Sequence, residues 1–116
     1  SYKATMDALQ RDYPDVRFLH ATVPLTTQPS GIEANLKALL RGVDNPERER
    51  YNELMRAAYG PGQLLDVAAV EGTAPDGTRD PSLYPGYSSD GSHLNGTGSA
   101  LVAVELIRLL AEPGAA

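Results

Sequence analysis

The sequence contains no cysteine and no tryptophan, and it has only one phenylalanine and two histidines. The absence of cysteine excludes disulfide scaffolds, cysteine nucleophiles and thiolate metal sites. Basic residues are in the minority: the sequence has 10 Lys and Arg but 15 Asp and Glu, which gives a net charge of −5. This balance argues against a surface for nucleic acid or for an anionic membrane.

Long hydrophobic runs are also missing. The most apolar stretch, residues 100–110, is shorter than the roughly 18 residues that cross a bilayer, and it carries Glu105 and Arg108. We therefore predict no membrane span. The 116 residues, 41% of them hydrophobic, suit a single globular domain over residues 1–116. Nothing in this composition fixes the compartment, since secreted proteins can also lack cysteine.

Two helices are predicted in the first half of the chain. Residues 2–13 carry apolar side chains at helical spacing, namely Tyr2, Met6, Leu9 and Tyr13. Further along, Ser30 and Glu33 have the spacing of a capping box, and Gly42 is a typical C-terminal stop. A short amphipathic helix is therefore expected between Ser30 and Gly42.

Two more helices are predicted in the second half. Asn45 and Pro46 form a start signal and Gly60 a stop signal, with an expected inward face of Tyr51, Leu54, Met55 and Ala58. The last helix is predicted at about 97–111, with Asn95 or Thr97 as its cap. Its polar stripe is narrow, so most of its surface is expected to be buried against a sheet.

Two segments have the pattern of strands. Residues 16–25 are short, rich in β-branched and aromatic side chains, and contain Pro24 near their end. Residues 63–71 form a near-continuous apolar run, which is typical of a strand buried in a parallel sheet. Strands that alternate with helices predict an α/β fold with a parallel sheet. Two buried strands are few for such a sheet, so both are expected to need further neighbours.

A long loop follows the second predicted strand, from Gly72 to about Gly98. Loops of this length are uncommon in compact domains and are often functional. The segment from residue 66 to residue 90 is acidic, because it has only Arg79 to balance Asp66, Glu71, Asp76, Asp80 and Asp90. We interpret these acidic residues first as part of a solvated loop.

Asp90 and His93 stand out at the end of this loop. A histidine acts as a general base when a carboxylate accepts from one ring nitrogen and leaves the other free to take a proton. The Asp-x-x-His spacing allows this within one turn of chain, with the small residues Gly91 and Ser92 between the two. The loop also follows a predicted strand, and ligands of open α/β sheets bind at the carboxyl ends of strands.

Two other interpretations of these residues remain open. The spacing alone also occurs in ordinary turns with a half-exposed histidine, because short motifs match by chance. A metal site could combine His20 and His93 with a carboxylate such as Asp66 or Asp90. No closely spaced histidine motif favours the metal site, and we predict none.

The segment from residue 84 to residue 111 resembles the C-terminal block of SGNH (GDSL-type) serine hydrolases. The specific match lies in residues 90–95, and the order of the predicted elements agrees over nearly all 116 residues. The resemblance implies a three-layer α/β/α, flavodoxin-like fold with a parallel sheet. It also implies a Ser-His-Asp esterase or lipase in which Asp90 orients His93, the base. The implied substrate is a small-molecule ester, such as an acylated carbohydrate or lipid, and no cofactor is implied.

The other half of that family's site is not found in this sequence. The family has its nucleophile in an N-terminal Gly-Asp-Ser block and an oxyanion residue in a Gly-x-Asn-Asp block, and residues 1–116 contain neither. The expectation is therefore that this chain is the C-terminal part of the domain. The N-terminal half would be its partner, and this chain alone would be inactive. The alternative is a non-catalytic α/β binding or scaffold domain with a degenerate site.

Overall fold

A computed structural model describes residues 1–27, 36 and 45–112. These residues form a mixed α/β arrangement of helices around a small sheet. In chain order, the elements are α1 (Tyr2–Asp12), β1 (His20–Ala21), α2 (Asn45–Ala58), β2 (Leu64–Leu65), α3 (Val67–Glu71), a 3₁₀ turn (Pro85–Tyr87) and α4 (Gly96–Ala111). Apart from residue 36, the helix predicted between Ser30 and Gly42 lies outside the described residues.

The predicted parallel pairing of the two strands is confirmed. In the two-stranded sheet, His20 pairs with Leu64 and Ala21 with Leu65. The backbone N–H groups of His20 and Thr22 donate to β2 and its flank, at 2.8 and 3.1 Å. Each strand is only two residues long, however, so the strands predicted over 16–25 and 63–71 are largely wrong.

Side chains, rather than a third strand, bind the backbone beyond β1. The amide of Asn52 accepts from the Val23 N–H at 2.6 Å and donates to the Val23 C=O at 3.0 Å. Asn45, two helical turns earlier on α2, pairs in the same way with Thr26, at 3.0 and 2.7 Å. Asn45 and Asn52 are both buried. The segment therefore runs along α2 without a ladder, which is why β1 ends at Ala21.

Asp66 ends β2 and starts a helix where the sequence predicted more strand. Its carboxylate accepts from the Ala69 N–H at 3.1 Å, which caps α3. Arg56 binds both oxygens of Asp66, at 2.7 and 2.9 Å. Burial raises the pKa of Asp66, but the bonds from Arg56, the Ala69 N–H and the Thr22 hydroxyl together outweigh it, so the pKa is lowered. Once the first turn is capped, the alanine-rich run that follows favours helix.

The hydrophobic core is small and draws half of its members from the long loop. Its buried residues are Leu25, Ala68, Leu83 and Tyr87, with Tyr84 and Leu94 packed against them. Leu83 is fully buried, and the Tyr87 hydroxyl donates to the Thr73 C=O at 2.7 Å. The loop after α3 is therefore fixed through its middle, which in turn positions its last residues.

Several burial predictions are wrong. On α2, Met55 is buried, but Tyr51 and Leu54 are exposed. On α4, four large side chains are 40–66% exposed, namely Leu101, Val104, Ile107 and Leu110. The two-stranded sheet is too small to cover the whole helix. Among the described residues, no helix is both long and apolar enough to cross a membrane.

Arg17 joins the start of the chain to the end of α4. Its guanidinium donates to the backbone C=O groups of Leu109, Leu110 and Glu112 at 3.0, 3.5 and 3.0 Å. It also donates to the Gly62 C=O at 2.9 Å. The last carbonyls of a helix lack partners within the helix and carry partial negative charge, so a cation here completes the C-terminus of α4.

Glu71 does not belong to a solvated loop, contrary to the interpretation of the acidic segment. The residue is 2% exposed, and its Oε1 accepts from the buried Leu25 N–H at 2.9 Å. Burial raises the pKa of Glu71, although that hydrogen bond and Arg48 oppose the shift. Because its folded pKa is raised, the stability it contributes is fully present below its unfolded pKa, about 4.3, and is lost as the pH rises through the folded value.

We therefore expect two substitutions of Glu71 to have opposite effects. Glu71→Gln keeps an acceptor for Leu25 without the buried charge, so at pH 7 it should unfold at an equal or higher urea concentration than the wild type. Glu71→Ala should lower the free energy of unfolding by about 2–3 kcal/mol, because it leaves the Leu25 N–H without a partner. Urea unfolding at pH 4 and pH 7 measures both. A loss of more than ~1 kcal/mol with Gln at pH 7 would contradict the assignment.

Candidate functional site

Both ends of the loop that carries Asp90 and His93 are fixed to the body of the protein. Before the pair, the Tyr87 C=O accepts from the Asn95 N–H at 2.7 Å, and Ser88 pairs with Leu94 in an antiparallel bridge. After it, the Asn95 side chain caps α4 by accepting from the Gly98 N–H at 2.9 Å, which confirms one of the two predicted caps. The six residues between Ser88 and Asn95 therefore form a closed loop.

Asp90 and His93 meet as the sequence predicts. The His93 Nδ1 lies 2.7 Å from the Asp90 Oδ2. An ionised carboxylate can only accept, so Nδ1 carries the proton and the neutral ring has its free lone pair on Nε2. The His93 side chain is 84% exposed. The ring is therefore held by one nitrogen and open to an incoming group at the other.

The second oxygen of Asp90 holds the turn itself. Its Oδ1 accepts from the His93 N–H at 2.8 Å and from the Ser92 N–H at 2.9 Å. These two backbone bonds, followed by the bond from the His93 ring, hold the pKa of Asp90 far below its usual range. The carboxylate is therefore ionised at neutral pH and can accept from the His93 Nδ1–H.

Gly91 fixes the loop to the segment after β1. Its C=O accepts from the Thr27 N–H at 2.9 Å. Its φ is +86°, which L side chains rarely adopt, and a Cβ there would lie 2.8 Å from the Thr27 Oγ1. Because the preceding Thr26 is held by Asn45, a chain of hydrogen bonds runs from α2 to the Asp90–His93 loop.

Gly91→Ala is expected to destabilise the protein and to displace His93. The positive φ alone costs about 1–2 kcal/mol for a residue with a Cβ. Gly77→Ala is the matched control, because Gly77 has a φ of +90° and nothing within 4 Å of the added Cβ. Urea unfolding gives both losses, and histidine NMR shifts report on the ring. Equal losses with an unmoved His93 signal would show that the Thr27 contact has no role.

No described serine hydroxyl is bound to the free side of His93. Ser92 Oγ lies 3.3 Å from Nδ1, on the side that Asp90 already occupies. Ser88 Oγ donates to the His93 C=O at 2.6 Å. Within residues 1–27 and 45–112, no hydrogen bond involves Nε2. Asp90 and His93 thus have the geometry of a carboxylate that orients an imidazole, and no serine hydroxyl of the described residues is bound to Nε2.

A cleft of about 550 Å³ lies between α3 and α4. Its lining is mostly apolar and includes Val70, Pro75, Leu101 and Val104, with Tyr87 as the member nearest in sequence to the pair. Neither Asp90 nor His93 lines it. The cleft therefore does not surround the imidazole of His93.

His20 is not brought near His93. Its ring is 5% exposed, stacks on Tyr59 with the ring centroids 3.7 Å apart, and binds the Tyr2 hydroxyl through Nδ1 at 2.7 Å. Burial lowers the pKa of His20. Among the described residues, no group of three His, Asp or Glu could hold a metal ion. The alternative set of two histidines and a carboxylate is thus not assembled.

Sequence reasoning missed the residues that support the pair. Ser88 and Thr27 bind the loop backbone, and Asn45 and Asn52 hold the segment that ends in Thr27. The two asparagines, seven residues apart on one face of a predicted helix, were a usable signal, because a polar residue on an inward face needs a buried partner. Ser88 and Thr27 carried no comparable signal.

Comparisons with family models, with curated proteins and with solved structures found no match to this chain.

Proposed function

We propose that this chain supplies the acid–base half of a serine ester hydrolase of the SGNH (GDSL) type. The observation that carries the proposal is the bond of 2.7 Å between Asp90 Oδ2 and His93 Nδ1, beside an exposed Nε2. The parallel pairing of β1 with β2 is compatible with the three-layer α/β/α fold that the resemblance implies. Residues 1–116 are then the C-terminal part of that domain.

In this proposal, His93 and Asp90 have the roles of base and orienting acid. Nε2 takes the proton from a serine hydroxyl as that oxygen attacks the ester carbonyl. The resulting imidazolium is stabilised by Asp90 through Nδ1 and then protonates the departing alkoxide. Water, deprotonated at the same Nε2, hydrolyses the acyl-enzyme and regenerates the serine. The nucleophile and the oxyanion donors come from the N-terminal half, and the chemistry needs no cofactor.

Exposed apolar surface on α4 also supports the proposal that a complementary polypeptide packs against this chain. Leu101, Val104 and Ile107 follow one another at three-residue spacing along α4, and each is at least 40% exposed. Apolar surface of this kind along a helix is typical of a face that packs against another element. The row begins five residues after the helix start at Gly96, which is about 7–8 Å along the axis from the end of α4 that follows His93.

The test is to label the active serine with a fluorophosphonate probe and to locate the label by peptide mass mapping. The proposal expects a label on a serine outside residues 1–116, on the same polypeptide or on a co-purifying one, with a rate that falls when His93 is replaced. A label on Ser88, Ser89 or Ser92 would overturn the assignment of the nucleophile. Labelling that is independent of His93 would overturn the role of the base.

A non-catalytic α/β binding or scaffold domain is the second candidate. The observation that favours it is the pair of backbone N–H groups on Asp90 Oδ1, because a turn needs those bonds whether or not His93 reacts. The two candidates differ in one measurable property. A scaffold domain would yield no labelled serine and no esterase activity in any preparation that contains this chain.

A further inference from the structure

Ser88 occupies the stem of the loop that carries Asp90 and His93. Its backbone is extended, with φ −144° and ψ 148°, and it pairs with Leu94 across the loop. The residue therefore lies opposite the position that follows His93. Its hydroxyl points toward the loop backbone, where it makes bonds in two directions.

The Ser88 hydroxyl is both donor and acceptor. It donates to the His93 C=O at 2.6 Å and accepts from the Gly91 N–H at 2.9 Å. Asp90 Oδ1 is farther away, at 3.3 Å. A hydroxyl has only one proton, so the shorter bond to His93 takes it and leaves Asp90 Oδ1 to the two backbone N–H groups.

The two side chains thus hold opposite ends of the same residue. Asp90 accepts from the His93 N–H, and Ser88 donates to the His93 C=O. Fixing both groups restricts rotation of the backbone on either side of the His93 Cα. This matters because the pair is exposed to water, where one side-chain contact alone contributes little to order.

We propose that Ser88 is a positioning residue for His93. Its hydroxyl holds the loop so that Nδ1 stays on Asp90 Oδ2 while Nε2 remains free. The inference rests on the proposed function, in which His93 is the base. Ser88 is not the nucleophile, because its proton is committed to a backbone carbonyl rather than to Nε2.

The experiment compares Ser88→Ala, Ser88→Thr and Ser89→Ala in the assembled protein, with ¹⁵N-labelled histidine. The neighbouring Ser89 is exposed, so its substitution is the matched control. Thr keeps the hydroxyl and tolerates extended backbone. In Ser88→Ala, we expect His93 to lose its preference for the proton on Nδ1. The Gly91 amide should exchange with solvent about 5- to 10-fold faster, since it has lost its acceptor.

We expect the Nδ1–H tautomer of His93 and the protection of the Gly91 amide to be lost in Ser88→Ala, retained in Ser88→Thr and unchanged in Ser89→Ala. An unchanged His93 tautomer and an unchanged Gly91 exchange rate in Ser88→Ala would overturn the inference.

The result of this experiment can be separated from the test of the proposed function. If Ser88 orders His93 but no labelled serine is found, the esterase proposal fails and the positioning role stands. If labelling depends on His93 but Ser88→Ala leaves the ring unaffected, the positioning role of Ser88 fails and the esterase proposal stands.

Discussion

His93→Ala is expected to lower esterase activity by about 10⁴-fold or more, measured as kcat/KM for a chromogenic ester in the assembled enzyme. The expectation follows from the proposed role of Nε2, because none of the described residues places a second base beside it. The ring is 84% exposed and lies at the tip of a loop held by backbone bonds, so its removal should leave the fold intact. Unfolding in urea should therefore be unchanged within about 0.5 kcal/mol.

Asp90→Asn tests the orienting role of the carboxylate separately from its role in the turn. The amide oxygen can still accept from the His93 and Ser92 N–H groups, so the turn is kept. The amide nitrogen, in contrast, is a donor and cannot accept the proton of Nδ1. A drop in kcat of about 10⁴-fold is expected, as when an orienting aspartate of a triad becomes an amide. Asp76→Asn, at another exposed turn carboxylate, is the control.

Two results would contradict this picture. Activity that survives in His93→Ala would remove His93 from the mechanism, whatever the outcome for Asp90. Equal losses in Asp76→Asn and Asp90→Asn would show that turn stability, not orientation of the imidazole, explains the effect.

Asn52→Ala is expected to lower the free energy of unfolding by about 2–3 kcal/mol, a loss as large as that expected for Glu71→Ala. Asn52 is fully buried and satisfies both the N–H and the C=O of Val23. Alanine would leave both groups without a partner in a place that water reaches poorly. Leu54→Ala, two residues along the same helix and 65% exposed, should cost less than about 0.5 kcal/mol.

Urea unfolding of these two variants measures the difference. A loss of less than 1 kcal/mol for Asn52→Ala would mean that water replaces the amide freely and that the segment after β1 is held in another way. The chain of hydrogen bonds from α2 to Gly91 also implies a second effect. The histidine NMR signals of Asn52→Ala should report a looser Asp90–His93 pair.

Three helices, α1, α2 and α4, could be predicted from the sequence because their signals are local. The cap at Asn95, the start at Asn45 and the stop near Gly60 each depend on a few neighbouring residues. The Asp90–His93 bond was predictable for the same reason, since three positions separate the two residues. The identification with an ester hydrolase stays a prediction.

The strands could not be predicted because their partners lie far along the chain. Val23 is bound by Asn52, 29 positions away, and Leu25 by Glu71, 46 positions away. No periodicity in residues 16–25 encodes the choice between a neighbouring strand and a buried side chain. Residues 67–71 form a helix rather than the predicted strand for a related reason. The Asp66 cap depends on Thr22 and Arg56, which fix its carboxylate and lie outside that segment.

The contact of Arg17 with the end of α4 has a consequence for the order of folding. The guanidinium joins groups 92 to 95 positions apart in the chain. Closing so long a loop costs more conformational entropy than any local turn, and a few exposed hydrogen bonds cannot offset that cost early. We therefore expect the ends of the chain to meet only after the central elements have docked. Arg17 would then slow unfolding while leaving the rate of folding almost unaffected.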